Sequence, residues 1–424
     1  MSNTENTGSE VTNESGQQNA AATEEKFFTP DKIILLVALI TYGIGQSILY
    51  VVFPPIVEDI GLTKTQFGLV IAISNVALAF GAMFWGRKSD TFGRKRTMVV
   101  GLFGYALGTF LLASTLEWGL EAARAPLLLL GIIMAARLTY ASIASAINPG
   151  ATAYLADTTS KTNRAKGMAL LGMSAGIGTM LGPVIGGSFA FVGPVFPMYI
   201  AIALALASMT LIAVKIKEPS RHVNQEEKPK GKLSAFDPRV FPYLLCLVTF
   251  WMVFSMNQIL ASFYLEQEIG IEGSAKVAQA TATVLFSMAI TATITQIGLI
   301  GKFNLGPIQM MRIGFPVFAL GMLVLLIANS LPMMWLGFGC FGVAMALCNA
   351  GCSGAASISV GPEEQGSVGG FLSAMPIFGM VAGPLLGPFL FDTFSPTMPV
   401  MVALAILILL SLFSLTLKVK SHDE

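Results

Sequence analysis

The chain of 424 residues is too apolar to be an ordinary water-soluble protein. Hydrophobic residues make up 54% of it, charged residues only 12%, and the mean hydropathy is +0.72, whereas a typical soluble domain carries roughly 25% charged residues. Apolar stretches of about 20 residues, each long enough to cross a bilayer as a helix, recur from one end to the other. The composition predicts an all-α polytopic membrane protein.

Twelve apolar stretches follow a polar N-terminal segment, which has almost no large apolar side chains and is expected to be a disordered tail (1–26). We number the stretches as spans 1 to 12, at roughly 31–55, 65–86, 97–116, 126–152, 166–190, 196–216, 240–264, 276–300, 309–329, 333–357, 367–391 and 396–417.

The longest polar break between spans lies at 215–239 and divides them into two sets of six. We therefore expect an N-terminal half (27–216), a linker (217–238), a C-terminal half (239–418) and a short C-terminal tail (419–424).

The distribution of positive charge predicts the orientation. If both termini are cytoplasmic, the tails and the even-numbered connections carry 21 of the 25 Lys and Arg residues, and the outer loops carry three. Short cytoplasmic loops retain an excess of Lys and Arg. We therefore expect a multi-pass protein of the cell membrane with both termini and the linker in the cytoplasm.

An internal repeat is visible at an offset of 201 residues. Asn148 and Gly150 match Asn349 and Gly351, and four residues of span 5 match four of span 11 at the same offset. The span 5 set is Gly178, Gly182, Pro183 and Gly186, and the span 11 set is Gly379, Gly383, Pro384 and Gly387. Transporters are commonly built from internal repeats with the substrate site at the repeat interface. The repeat predicts two six-helix units.

Two motifs resemble those of the major facilitator superfamily. "GRKSDTFGRKR" (86–96), between spans 2 and 3, is similar to the superfamily's signature loop. "GTMLGPVIGG" (178–187) resembles the motif found on span 5 of its proton-linked exporters, and it ends in Gly187. Arg137 stands where the family often has an arginine, but Ala141 replaces the glycine usual four residues later. The resemblance implies the twelve-helix fold of that superfamily.

The signature loop is expected to form a cytoplasmic gate. Gly86 and Gly93 permit a tight turn, and the resemblance implies that Asp90 latches the two halves together, with Arg87 and Arg94 as partners. Asp157 and Arg164, in the next inner loop, are candidates for the same network.

Arg137 is the most informative single residue of the spans. A buried arginine costs roughly 2.5–3.5 kcal/mol on insertion scales, so it should face a wet cavity, where it binds substrate or couples protons, or a structural partner such as backbone carbonyls. All 24 acidic residues lie in tails, loops or span ends. Many exporters of cationic drugs in this family carry a carboxylate embedded in the membrane. Because this chain has no acidic residue at mid-span, we expect neutral or anionic substrates rather than cationic ones.

Other polar or adaptable residues are candidates for a substrate cavity. Since unpaired polar groups are costly in lipid, they should point inward, either to a cavity or to a neighbouring helix. Residues at a spacing of four share a helix face on span 1, and single candidates occur on other spans. The set is Tyr42, Gln46, Tyr50, Asn75, Tyr140, Trp251, Asn257, Gln258, Asn349 and Met375.

These patterns together predict a secondary transporter that exports small organic molecules by proton antiport and alternating access. The alternatives are a dedicated exporter of an endogenous anionic metabolite such as a siderophore, an uptake transporter of the same fold, and a non-transporting membrane sensor. No GxxxxGK[ST] loop for ATP is present. We expect a monomer with no enzymatic activity, cofactor, metal or nucleic acid partner. The small residues of spans 5 and 11 are expected to form bendable helices, or a seam of tight packing.

Overall fold

The computed structural model describes residues 29–121, 125–159, 164–219, 233–300, 305–361 and 363–417. Within these ranges the chain forms twelve helical segments long and apolar enough to cross a membrane, and no β-strand. The prediction of a twelve-span, all-α membrane protein is confirmed. Both predicted tails and residues 220–232 of the linker lie outside the described ranges, so the domain boundaries stay predictions.

The helices agree with the predicted spans to within a few residues, and spans 2, 3 and 4 extend beyond the predicted bounds by one or two turns. Span 4 is interrupted after Ala144, and span 8 ends in a π-helical turn. The helices are Pro30–Val52, Lys64–Phe92, Arg94–Glu121, Pro126–Ala144 with Ile147–Asp157, Arg164–Ser188, Phe196–Lys215, Phe241–Gln267, Ser274–Ile294 with Thr295–Ile300, Pro307–Leu326, Leu331–Ile358, Gln365–Thr393 and Met398–Thr416.

Local sequence explains where many helices begin and end. Proline suits the first turn, where its missing N–H would have no partner in the helix, and it occupies that turn in seven of the described spans: 1, 4, 6, 7, 9, 10 and 12. Span 2 begins with a capping box between Thr63 and Gln66. It ends at Gly93, whose φ of 102° lies in the region that favours glycine.

Spans 1 to 6 form one bundle and spans 7 to 12 a second. The bundles meet where span 2 packs against span 11 and span 5 against span 8. We call the end that carries residues 86–96, where span 2 turns into span 3 at Gly93, the motif end, and the other the opposite end. The positive-charge distribution predicts that the motif end faces the cytoplasm.

The small residues of spans 5 and 11 hold equivalent positions in the two bundles. A Cβ added at Gly182 would overlap with the Ser47 hydroxyl and the Ile44 carbonyl of span 1. A Cβ added at Gly383 would overlap in the same way with the hydroxyl of Ser255 and the carbonyl of Met252 on span 7. Spans 1 and 7 therefore correspond at an offset of 208, although spans 5 and 11 correspond at 201.

The rest of the small-residue set continues these two seams. Gly178 and Gly186 also face span 1, and Gly379 and Gly387 face span 7. Gly187 faces Ala282 of span 8 in the other bundle. The helix of span 5 runs continuously through Pro183, as that of span 11 does through Pro384. The close approach of helices over small residues is observed, whereas the expected bending stays a prediction.

Gly182→Ala should destabilise the folded protein, because the new methyl group has no space between spans 5 and 1. Overpacking of this kind costs about 1–3 kcal/mol, so the thermal unfolding temperature in detergent should fall. Gly176→Ala is the matched control on the same helix, because a Cβ there meets nothing within 4 Å. Equal unfolding temperatures for the two variants would contradict the packing role.

Spans 3 and 9 follow a third offset. Gly150 packs against Met98 of span 3, with a Cβ distance of 2.9 Å to its Cγ, and Gly351 packs against Met311 of span 9 at the same 2.9 Å. Met98 and Met311 are 213 residues apart. The repeat therefore covers spans 1, 3, 4 and 5 with their counterparts, at three different offsets set by the lengths of the loops.

The two bundles are joined towards the opposite end. Asp392 of span 11 accepts hydrogen bonds from the backbone N–H of Thr65 (2.8 Å) and from its hydroxyl (2.7 Å), at the start of span 2. Asn75 donates from Nδ2 to the Met380 carbonyl at 2.8 Å. Among the described residues these are the hydrogen bonds between the bundles. Asn75 therefore serves a contact between helices in this conformation.

Lys64 adds an aromatic contact at the same end. This buried lysine forms an ion pair with Glu58 of its own bundle. Its Nζ lies 5.2 Å from the ring centre of Phe263 and 5.3 Å from that of Phe391, both in the C-terminal bundle. Cation–π contacts contribute about 0.5–2 kcal/mol each, so Lys64 helps to hold this end closed.

The bundles separate towards the motif end. Glycines in the motif-end parts of spans 5, 8 and 11 have no atom outside their own helix within 4 Å of an added Cβ; they are Gly172, Gly176, Gly298, Gly366, Gly369 and Gly370. Large apolar side chains near this end are exposed, among them Met173 of span 5 and Ile297 of span 8. The structure is thus closed at the opposite end and open at the motif end.

Candidate functional site

Arg137 lies in span 4 and is 6% exposed. Its Nε donates to the Ser74 hydroxyl oxygen at 3.3 Å, and its guanidinium lies 4.6 Å from the ring centre of Tyr140. Ser74 donates its own proton to the Val70 carbonyl at 2.6 Å, so it can only accept from the arginine. Among the described residues no carboxylate pairs with Arg137. A buried charge held by a hydroxyl and a ring is costly.

Tyrosines surround this guanidinium. The rings of Tyr42 and Tyr105 are 6.0 Å apart, and those of Tyr105 and Tyr140 are 5.7 Å apart, each pair edge to face. Gln46 donates from Nε2 to the Tyr42 hydroxyl at 2.7 Å, and Tyr50 is close enough to interact electrostatically with Arg137. The structure thus brings together the predicted residues Tyr42, Gln46, Tyr50, Arg137 and Tyr140.

Ser74, Tyr105 and Gly45 belong to this cluster but were not predicted. A Cβ at Gly45 would overlap with the Tyr105 hydroxyl, so glycine is required where span 1 crosses that ring. The Tyr105 hydroxyl is buried and has no hydrogen-bond partner among the described residues. This hydroxyl can therefore still form a hydrogen bond within the cluster around Arg137.

The C-terminal bundle has an apolar version of the same cluster. Phe250 and Phe318 are 5.6 Å apart, Phe318 and Phe341 are 4.8 Å apart, and Phe338 lies 4.7 Å from Phe341. The three offsets of the repeat relate these rings to the N-terminal residues in order: Tyr42 to Phe250, Tyr105 to Phe318, Tyr140 to Phe341 and Arg137 to Phe338. A bundle of this fold therefore does not require the charge or the three hydroxyls at these positions.

The remaining predicted residues do not join one ring around Arg137. Trp251 donates from Nε1 to Asn349 Oδ1 at 3.3 Å within the C-terminal bundle. Asn257 is fully buried, donates to the Val253 carbonyl at 2.8 Å, and has an unpartnered Oδ1. Gln258 and Met375 are half-buried on spans 7 and 11. Trp251 and Asn349 therefore form a pair of their own, and Asn257 bonds to its own helix.

The signature loop forms a network inside the N-terminal bundle. Arg94 pairs with Asp90 at 2.7 Å and with Asp157 at 3.0 Å, and its NH1 donates to Ser89 at 2.7 Å. The Glu218 carboxylate, at the start of the linker, accepts from the backbone N–H of Arg94. In this conformation Asp90 makes no contact across the bundles among the described residues, so its expected role as a latch stays a prediction.

The other predicted gate residues lie around this network. Arg87 is exposed and forms no ion pair with the described residues. Gly86 lies within the helix of span 2, so the turn predicted at this residue is wrong; a Cβ on it would lie 4.0 Å from Pro149 of span 4. The chain turns at Gly93 instead, which faces the Glu218 carboxyl. The side chain of Arg164 lies outside the described part of the chain.

The C-terminal bundle has its own ion cluster at this end. Arg239 donates to Asp237 and to Glu364, each at 2.9 Å. Its hydrogen bonds hold the pKa of Asp237 below the ordinary value of a carboxyl group. Each bundle therefore has an ion-pair cluster of its own at the motif end.

The family model of the Major Facilitator Superfamily matches residues 35–304 and 277–424. The chain belongs to this superfamily. Multidrug resistance protein 1 of Bacillus subtilis (strain 168) is 28% identical over 367 residues, covering 85% of this chain and 89% of that protein. Quinolone resistance protein NorA of Staphylococcus aureus is 25% identical over 362 residues, covering 84% and 87%. The protein is thus a superfamily transporter and not an enzyme.

Solved structures of the superfamily share the fold. The nucleoside transporter NupG aligns with a TM-score of 0.74 at 15% identity, over 92% of this chain and 100% of that one. An inward-facing, unoccupied bacterial homologue of the human lysosomal transporter Spinster gives a TM-score of 0.70 at 13% identity, over 92% and 96%. At these identities the likeness shows the fold alone.

Proposed function

We propose that this transporter exports small organic molecules, neutral or anionic rather than cationic, by proton antiport and alternating access. It acts in the cell membrane with both termini cytoplasmic. The structure then represents the inward-facing state, ready to take up substrate from the cytoplasm.

One observation carries the alternating-access part of this proposal. The bundles touch tightly at the opposite end, through the Asp392 and Lys64 contacts, and separate at the motif end. If the two bundles rock about the contacts between spans 2 and 11 and between spans 5 and 8, the opposite end opens as the motif end closes. In that movement the Asp90–Arg94 group would approach span 11, as the resemblance of the signature loop implies.

Export and substrate class rest on separate support. The relatives named for multidrug and quinolone resistance favour export, as does the span 5 motif. The preference for neutral or anionic substrates rests on Arg137, a buried cation in the candidate site that has no carboxylate partner among the described residues. An anionic or polar group, or a proton-linked change in the tyrosine cluster, could compensate this charge.

Inverted membrane vesicles with an imposed pH gradient test the proposal. Vesicles with an acidic interior should accumulate fluorescein (anionic) or 7-methoxycoumarin (neutral) faster than vesicles from cells without the gene, and nigericin, which collapses the gradient, should abolish the difference. Ethidium serves as the cationic comparison. Accumulation that does not depend on the pH gradient would contradict proton antiport. A preference for ethidium would contradict the proposed substrate class. Gradient-driven uptake in right-side-out vesicles would show that the protein imports its substrate instead of exporting it.

A further inference from the structure

A cavity of about 190 Å³ lies between spans 1, 4 and 5 of the N-terminal bundle. Its lining includes Tyr42, Gly43, Gln46, Asn148 and Thr179, and the remaining residues are apolar except for one threonine. Asn148 and Thr179 are exposed, so the pocket is open to its surroundings on this side. An apolar protein cavity of roughly 150 Å³ can hold benzene, so this pocket has room for one aromatic ring system.

In the C-terminal bundle the equivalent space is filled. Gly43 corresponds to Trp251 at the span 1–7 offset of 208. Gly43 packs against Gly178 as Trp251 packs against Gly379. The indole of Trp251 donates its N–H to Asn349 Oδ1 at 3.3 Å. Gly43 has no side chain, so no indole occupies this space in the N-terminal bundle. The indole of Trp251 in the C-terminal bundle therefore shows which kind of group fits it.

The hydrogen-bonding groups in the pocket match that comparison. Asn148 is the counterpart of Asn349 and makes no hydrogen bond with any residue that the structure describes, so its Oδ1 is available as an acceptor. Gln46 donates to Tyr42 and keeps its carbonyl oxygen. No charged residue lines the pocket, because Arg137 is turned towards Ser74 and Tyr140. The lining therefore suits an uncharged group.

We propose that this pocket binds a planar, uncharged aromatic group that carries an N–H or O–H donor. The ring occupies the place that the Trp251 indole fills in the other bundle, and its donor bonds to Asn148 Oδ1. This inference rests on the proposed export function and names the class of substrate that the site takes. Larger substrates extend from the pocket into the space between the bundles.

Binding of indole to the purified full-length protein in lipid nanodiscs, measured by equilibrium dialysis against empty nanodiscs, tests this proposal. Indole should bind at one site, and 1-methylindole, which lacks the N–H, should bind roughly 5- to 10-fold more weakly. Gly43→Trp should abolish binding by filling the pocket, and Asn148→Leu should weaken it by a similar factor to the methyl group. Thr139→Ala, whose hydroxyl bonds its own helix, is the control and should bind as the wild type does.

Trp251→Gly should increase the number of indole molecules bound, whereas Gly43→Trp should abolish binding. Trp251→Gly empties the equivalent space beside Asn349, so the protein should bind two molecules of indole instead of one. Equal affinity for indole and 1-methylindole, or unchanged binding in Asn148→Leu, would overturn the proposal even if Gly43→Trp fails to fold. Vesicle export without indole binding overturns the pocket alone, whereas indole binding without gradient-driven export overturns the proposed function and leaves the pocket standing.

Discussion

Arg137→Phe is expected to abolish export while the protein remains folded. The C-terminal bundle has Phe338 at the equivalent position, packed 4.7 Å from Phe341, so the fold accepts an aromatic ring there. Replacing a buried ion pair with apolar residues is often neutral or stabilising by about 1–4 kcal/mol, and a buried charge without a carboxylate partner is more costly to the fold than a paired one. The thermal unfolding temperature should therefore be unchanged or higher. The export rate in inverted vesicles should fall below about a tenth of the wild-type rate, the equivalent of roughly 1.4 kcal/mol.

Phe338→Leu is the matched control for this variant, because it alters the apolar cluster at the equivalent position without removing a charge. It should lower the unfolding temperature and leave most of the export rate. Wild-type export by Arg137→Phe would show that the arginine has a structural role only, and it would remove the argument for neutral or anionic substrates.

Gly68→Ala is expected to prevent the opposite end from closing. An added Cβ would overlap with the Pro384 carbonyl of span 11 and would lie 3.0 Å from the Pro388 ring. This clash is between bundles, so each bundle should fold normally. An overpacking cost of about 1–3 kcal/mol shifts a two-state equilibrium roughly 5-fold to 150-fold. The transporter should then populate the state that is open at the opposite end, and net export should fall in proportion.

The control for Gly68→Ala is Gly131→Ala on span 4, since a Cβ there meets nothing within 4 Å. It should transport at the wild-type rate. If both variants transport normally, the span 2–11 contact is not part of the transport cycle.

The spans could be predicted from sequence because each is specified locally. An apolar stretch of sufficient length and a proline or capping residue at its start determine a membrane helix without reference to the rest of the chain. The repeat of spans 4 and 5 in spans 10 and 11 could also be predicted from the sequence. The segment between spans 4 and 5 is as long as the one between spans 10 and 11, so a single offset of 201 aligns both pairs.

The tyrosine cluster could not be assembled in the same way. Spans 1 and 3 correspond to spans 7 and 9 at offsets of 208 and 213, so a comparison at 201 misses the match of Tyr105 with Phe318. The need for Gly45 arises only because the Tyr105 side chain of span 3 reaches span 1 in the folded bundle. A search with a separate offset for each span would have shown that tyrosines in one half stand where phenylalanines stand in the other.

Contacts between the bundles could not be predicted from the sequence either. Asp392 and Thr65 are 327 residues apart, and nothing in either local sequence indicates the partner. Their pairing depends on which end of the transporter is closed, which is a property of one conformation. For the same reason Asp90, predicted to latch the halves, is found pairing within its own bundle.

Distances between spin labels on spans 5 and 8 test alternating access most directly. One pair, Ser188 and Gln279, reports on the opposite end, and a second, Met173 and Ile297, reports on the motif end; all four side chains are exposed. Wild-type protein should give a short first distance and a long second one, and Gly68→Ala should reverse both. Distances that do not change, or that lengthen at both ends together, would contradict a transporter that opens one end as it closes the other.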